Sequence, residues 1–244
     1  MCGISTRFRL QIRVIPRCEQ SFGTPHGLFW RLKPDPGATD KEKNAFGEAL
    51  GHLLEAHCVE ATARVYNPNT ATRFMFREKK YAKTKLASDI AIFEDGVGAF
   101  IEIGINRPNL RDTIVRGSLT SYDTDVKKIL VKRAEQLSRK IDEFYDGVLT
   151  YDGADPSSIT SIHPIVCLLD GFPLGAPLYK RAVRIVKEAG LLRTNRAERL
   201  AVLSAEELET LLALVERGEA LTDVLRRHAG SRMRHESLRD YPPE

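Results

Sequence analysis

The sequence predicts an α/β protein, a mixed β-sheet flanked by helices, with a small, mostly helical C-terminal extension. Three observations predict it. Residues 88–104, SDIAIFEDGVGAFIEIG, set two apolar runs on either side of a tight Glu94-Asp95-Gly96 turn, which is a β-hairpin pattern. Two segments with helical apolar spacing, 40–66 and 124–145, bracket that hairpin. A run of Val, Ile and Leu at 159–169 then reads as a strand covered on both faces.

Taken in order, residues 7–15 alternate strictly, with Phe8, Leu10, Ile12 and Val14 on one side and Arg7, Arg9, Gln11 and Arg13 on the other. That is a half-buried strand with a basic outer face. Residues 23–37 are a Pro/Gly-rich loop holding the single Trp, Trp30. Asp40 is placed to cap a helix running to about Tyr66, whose apolar stripe is Phe46, Leu50, Leu53, Leu54, Cys58 and Val59. Glu55 stands at the edge of that stripe. Residues 67–70, Asn-Pro-Asn-Thr, stop the helix, and 73–81 reads as a strand leading into the basic segment 78–85.

After the hairpin, 106–121 reads as a loop, and Asp123 or Thr124 as the cap of a second long helix ending at Tyr145. Val126, Ile129, Leu130, Leu137, Ile141 and Phe144 form its apolar side. Lys127, Lys128, Lys132, Arg133, Arg139 and Lys140 fill the remainder, either a solvated face or one that contacts phosphates. His163, inside the covered strand, reads as a core histidine. A helix over 178–189 closes at Gly190, and 200–203 is a short strand. Ser204-Ala-Glu-Glu207 is a capping box opening a helix to Arg217. A last helix, 221–227, precedes a polar tail. The leucines of these final helices are either core or the face offered to a protein partner or a second copy.

Composition narrows the class. With 42% hydrophobic and 29% charged residues the chain has the balance of a globular protein, not a disordered one. A net charge of +4 is compatible with an anionic partner and does not require one. Cys2, Cys18, Cys58 and Cys167 form no metal-ligand spacing, which points to a reducing, cytoplasmic setting. No apolar run has the length of a membrane span, so no membrane partner is expected.

The hairpin carries the chemistry. Asp89 opens its first strand and Glu102 lies within its second, so antiparallel pairing brings two carboxylates together at one end of an apolar element. Buried carboxylates are costly unless they are paired or hold a metal. A helix bearing Glu55, a hairpin with Asp then Glu, and a following helix with Gln136-Leu137 resemble the PD-(D/E)XK nuclease superfamily. The fingerprint of an uncharacterised bacterial branch is present as Phe46-Gly47, Ser88-Asp89 and Gln136-Leu137.

The resemblance implies a restriction-endonuclease-like core over 40–170, preceded by an N-terminal strand and loop extension (1–39) and followed by the α-rich segment 171–244. It implies metal-dependent phosphodiester hydrolysis of nucleic acid, DNA ahead of RNA, with Mg²⁺ or Mn²⁺ held by Asp89 and Glu102 and with Glu55 as an accessory ligand. Gln136 would orient the site or touch substrate, and Lys83, Lys85, Arg107, Arg111 and Arg116 would contact phosphates.

One position departs from the pattern. The superfamily has a lysine two residues after the glutamate, where it stabilises the transition state; this chain has Gly104. Such a lysine has migrated in some members, and Lys83, Lys85, Arg107 and Arg111 are the nearest cations in sequence. The alternative is a catalytically inactive nuclease fold serving as a nucleic-acid-binding or protein-interaction module.

Overall fold

The computed structural model describes residues 39–66, 73–172, 175–231 and 238, all within the unit Pro34–Glu244. The strand expected at 7–15, the Trp30 loop, the helix stop at 67–70 and the tail beyond 231, Leu238 excepted, lie outside the described residues.

Five strands form one sheet. Strands β1 (Arg73–Arg77), β4 (Ile90–Glu94) and β5 (Val97–Gly104) pair antiparallel; β6 (Ser161–Leu168) and β7 (Ala201–Ser204) add parallel to β5, giving the order β1-β4-β5-β6-β7. The sheet is therefore mixed, as the sequence predicts. The β4–β5 hairpin turns through Asp95 and Gly96, both with left-handed backbone (φ +45° and +83°), the two-residue turn that matches strand twist. The strand expected over 73–81 ends at Arg77. Beyond it β2 (Lys80–Tyr81) and β3 (Lys85–Leu86) form a separate two-stranded ribbon, turned by Ala82 and Lys83 at positive φ.

Strand periodicity sorts the side chains between two layers. Ile90, Ile92, Ala99, Ile101, Ile165 and Cys167 face α1 (Asp40–Val65), α5 (Ala205–Glu216) and α6 (Leu221–Gly230). Ala91, Phe93, Phe100, Val166 and Leu168 face the helical stretch Leu119–Tyr145 and α4 (Ala176–Glu188). Among the described residues of α1, the buried apolar side chains are Leu50, Leu54, Cys58 and Val59, while Leu53 is 60% exposed. Leu50, Leu54 and Cys58 recur every four residues, and Leu53 falls one position off that row.

The stretch 119–145 begins earlier than its sequence suggests. It consists of α2 (Leu119–Asp125), a π-helical turn (Val126–Val131) and α3 (Lys132–Tyr145). Its cap is Ser118, whose hydroxyl accepts from the Ser121 amide at 3.2 Å. Neither expected cap serves: Asp123 is spent on Arg181 of α4 (2.6 Å to Nη2), and Thr124 bonds back to the Thr120 carbonyl. The expected 106–121 loop also contains a π-helical turn, Leu110–Val115, held by buried Asp125, which accepts from the Asn109 amide at 2.7 Å and from the Thr113 hydroxyl.

The C-terminal leucines pack inward. Leu208, Leu211, Leu212, Val215, Leu221, Val224 and Leu225 belong to the core under the sheet, and Leu214 packs against it partly buried. The capping box forms as expected, with Glu207 N–H donating to Ser204 Oγ (3.1 Å) and Ser204 N–H to Glu207 Oε2 (2.7 Å).

At the turn end of the hairpin, buried Glu94 ties three elements together. It accepts from Tyr66 Oη (2.8 Å), from Arg73 Nη2 (2.9 Å) and from the Thr222 amide (3.1 Å). Glu94→Ala would leave the buried Thr222 amide and the Tyr66 hydroxyl without this acceptor. A loss of about 3 kcal/mol is expected, or about 6–12 °C in the unfolding midpoint, measured by thermal melts.

Candidate active site

The same period of two that builds the core also builds the site. On β5, Phe100, Glu102 and Gly104 point to one face, and Asp89 continues the Phe93–Ala91 row of β4 onto that face. Register places Ile90 opposite Ile101, so Asp89 and Glu102 are cross-strand neighbours at the open end of the hairpin. Asp89 Oδ2 accepts the Ile103 amide at 2.6 Å, which closes the ladder where regular pairing stops.

The layer facing these carboxylates is α3, and it contributes cations. Lys140 and Glu102 are both buried, 4% and 6% exposed. The Lys140 ammonium contacts Glu102 Oε1 directly and donates to the Ala87 carbonyl at 2.8 Å. Two turns earlier Arg133 approaches the same strand. Its Nη2 donates to Asn106 Oδ1 at 2.8 Å and its Nη1 lies 3.4 Å from the Ile129 carbonyl. Arg133, Gln136 and Lys140 stand at i, i+3 and i+7, one helix face.

Helical spacing alone places Arg133 and Lys140 on an outer basic face. The structure turns both toward the strand carboxylates instead. Lys140 borders the apolar stripe between Leu137 and Ile141, and Glu102 supplies the countercharge its burial needs. No local sequence signal separates them from solvated cations, because the strand carboxylate that Lys140 meets is 38 residues away in the chain.

A cleft of about 620 Å³ opens here. Asp89, Glu102, Glu55 and Glu78 supply its acidic lining, and Lys85, Lys128, Lys132, Arg133, Arg139 and Lys140 its cationic one; Gln136 also lines it. Glu55 and Gln136 therefore line the same cleft as Asp89 and Glu102. Glu78 was not foreseen; it follows β1, and its amide donates to the Asp89 carbonyl at 3.0 Å, which sets it beside the pair.

The cations expected to contact phosphates divide. Lys85 lines the cleft and pairs with Glu143, which also takes the Tyr81 hydroxyl and so staples the β2–β3 ribbon to α3. Lys83 is exposed at the ribbon's turn. Arg107 pairs with Asp170, Arg116 with Asp112 (2.9 Å), and Arg111 is exposed; none of these three lines the cleft. No cation among Lys83, Lys85, Arg107 and Arg111 takes the place beside Gly104; Arg133 does.

Burial and the neighbouring Glu102 push the Asp89 carboxyl up to about 7. Burial also raises Glu102, opposed by Lys140 and Arg133. Burial raises Glu78 too, and Glu55 beside it adds to the shift. Burial lowers Arg133, against the pull of Glu102 and Asp89. Lys140 thus pairs with Glu102, while Asp89 accepts the Ile103 amide.

Among the described residues no three His, Cys, Asp or Glu side chains converge as a ready-made metal cluster. Two adjacent hard-oxygen donors, both with raised pKa, nonetheless suit a divalent ion that keeps most of its water, as Mg²⁺ does. The expected core histidine, His163, is buried and neutral, its pKa lowered by burial to about 4. Among the described residues no helix is long and apolar enough to cross a membrane. Comparison with known protein families, curated proteins and solved structures finds no match.

Proposed function

We propose that the chain is a metal-dependent nuclease of restriction-endonuclease-like fold, related to the PD-(D/E)XK superfamily and acting on DNA by phosphodiester hydrolysis. The observation that carries this reading is the cross-strand pair Asp89–Glu102 at the floor of a cleft with cationic walls. Opposite charges are segregated within one concavity, the arrangement that a polyanion with a reacting phosphate requires.

Asp89 and Glu102 are the oxygens that would hold Mg²⁺ or Mn²⁺, with Glu55 and Glu78 in the same cleft. The ion, when bound, supplies Lewis-acid stabilisation of charge on the phosphate and lowers the pKa of a water. The protein's own groups do the rest. Lys140 fixes the Glu102 carboxylate from within the core. Lys128, Lys132 and Arg139, one wall of the cleft, draw the phosphate backbone across it, and Lys85 meets it from the ribbon side. Gln136, between Arg133 and Lys140, presents an uncharged amide to the substrate.

The test is incubation of purified protein with Mn²⁺ and plasmid, linear duplex, single-stranded DNA or RNA. Cleavage of DNA, stopped by EDTA, is expected; if all four substrates stay intact the reading fails. A second reading is favoured by the Lys140–Glu102 ion pair, which neutralises one carboxylate without a metal: an inactive nuclease fold that binds nucleic acid. It predicts binding that weakens steeply with salt, no cleavage, and unchanged affinity in Asp89→Ala.

A further inference from the structure

Gly104 is the feature of β5 that neither strand-forming nor backbone conformation explains. A glycine inside a strand weakens it and marks a place where another group comes close. Gly104 is not among the glycines with positive φ, so its backbone does not demand glycine. What demands it is space. A Cβ built at 104 would lie 1.7 Å from Arg133 Nη2, 2.5 Å from Cζ and 2.8 Å from Nε. The guanidinium fills the volume where a residue-104 side chain would begin.

From this geometry we propose that the notch at Gly104 and the guanidinium of Arg133 form one oxyanion site, in which Arg133 supplies the positive charge to the substrate phosphate that a lysine at 104 would otherwise supply. This rests on the nuclease reading and adds to it the residue that contacts the reacting group. Three facts favour Arg133 over Lys140 for the role. Two of the three ammonium protons of Lys140 are committed, to Glu102 and to the Ala87 carbonyl, and its side chain is 5% exposed. Arg133 has five N–H donors, of which the Asn106 and Ile129 contacts use two. Its planar fork also suits two phosphate oxygens at once, which an ammonium does not match.

The site makes a reciprocal prediction. Because the atoms that a 104 side chain meets are the tip of a flexible arginine, Gly104→Ala displaces the guanidinium without unfolding the strand. Gly104→Ala and Arg133→Ala are therefore expected to share one phenotype: cleavage of a labelled duplex with Mn²⁺ falls about 10²–10³-fold, the scale of losing one transition-state donor. The double variant Gly104→Lys/Arg133→Ala returns the charge from the strand and is expected to recover at least about tenfold over Arg133→Ala. Where Arg133→Ala does not fold, Arg133→Gln serves in its place. Wild-type rates in Arg133→Ala, a harmless Gly104→Ala, or a double variant no better than the single would each overturn the assignment.

A second arm separates this inference from the nuclease reading. Inorganic phosphate is expected to raise the unfolding midpoint of the wild type, and that shift is expected to shrink by half or more in both single variants. If the wild type cuts nothing yet the phosphate shift behaves so, the oxyanion site stands and the nuclease reading falls. No shift in the wild type, or equal shifts in all three proteins, overturns the site.

Discussion

Asp89→Asn is expected to abolish Mn²⁺-dependent cleavage and, at pH 8, to raise the unfolding midpoint. Both effects have one cause. The Asp89 carboxyl is pushed up to about 7 by burial and by Glu102, against about 3.9 for an aspartate in the unfolded chain. Between those values the folded protein holds the extra proton, so stability falls as pH rises from about 4 to about 7, and the penalty is complete above that. Asparagine keeps an oxygen to accept the Ile103 amide and carries no charge to desolvate. The two proteins should therefore melt together near pH 4 and diverge by several degrees at pH 8, as thermal melts across that range will read. Mn²⁺ should reverse the order at pH 8, stabilising the wild type and leaving Asp89→Asn unmoved. A site that gives up stability to hold an unpaired carboxylate is one expected of a functional centre.

Lys140→Met should have the largest effect on stability. It removes the ammonium from a carboxylate that is itself buried and leaves the Ala87 carbonyl without that donor. Breaking a buried pair from one side costs about 3–5 kcal/mol, or about 6–20 °C in midpoint for a unit of this size. Adding Glu102→Leu to Lys140→Met should restore most of that loss, because deleting both partners leaves no charge behind. Thermal melts of the two single variants and the double variant check it. A midpoint unchanged by Lys140→Met would mean that the pair is solvated.

The parts of this fold that local chemistry dictates were legible in the sequence. The hairpin over 88–104 announces itself by two apolar runs around Asp95-Gly96, the helix at 205 by its capping box, and β6 by its Val, Ile and Leu content. Asp89 and Glu102 could be placed on one face by counting in twos. The cations could not be placed by the same means. Lys140 and Arg133 sit beside an apolar stripe on a helix, where nothing local distinguishes a solvated lysine from one facing a strand carboxylate across the interior. Glu78 was hidden for a related reason, since the strand before it ends at Arg77 and only pairing with β4 brings it to Asp89. Helix caps were missed where long-range partners claimed the expected residue, as Arg181 claims Asp123.

Gly104 illustrates the same divide. In sequence it stands where the resembled motif has a lysine. In the structure it is the gap that admits Arg133 from α3. The cleft then keeps a cation beside the carboxylate pair, though from another element.

Single-turnover cleavage of an end-labelled DNA duplex decides whether Asp89 and Glu102 form a metal-dependent hydrolytic centre. Wild type, Asp89→Asn and Glu102→Gln are compared with Mn²⁺ and with EDTA. Product is expected from the wild type with Mn²⁺ alone, and background from both variants and from every EDTA control. An intact duplex with wild type, or cleavage that survives Asp89→Asn, would contradict it.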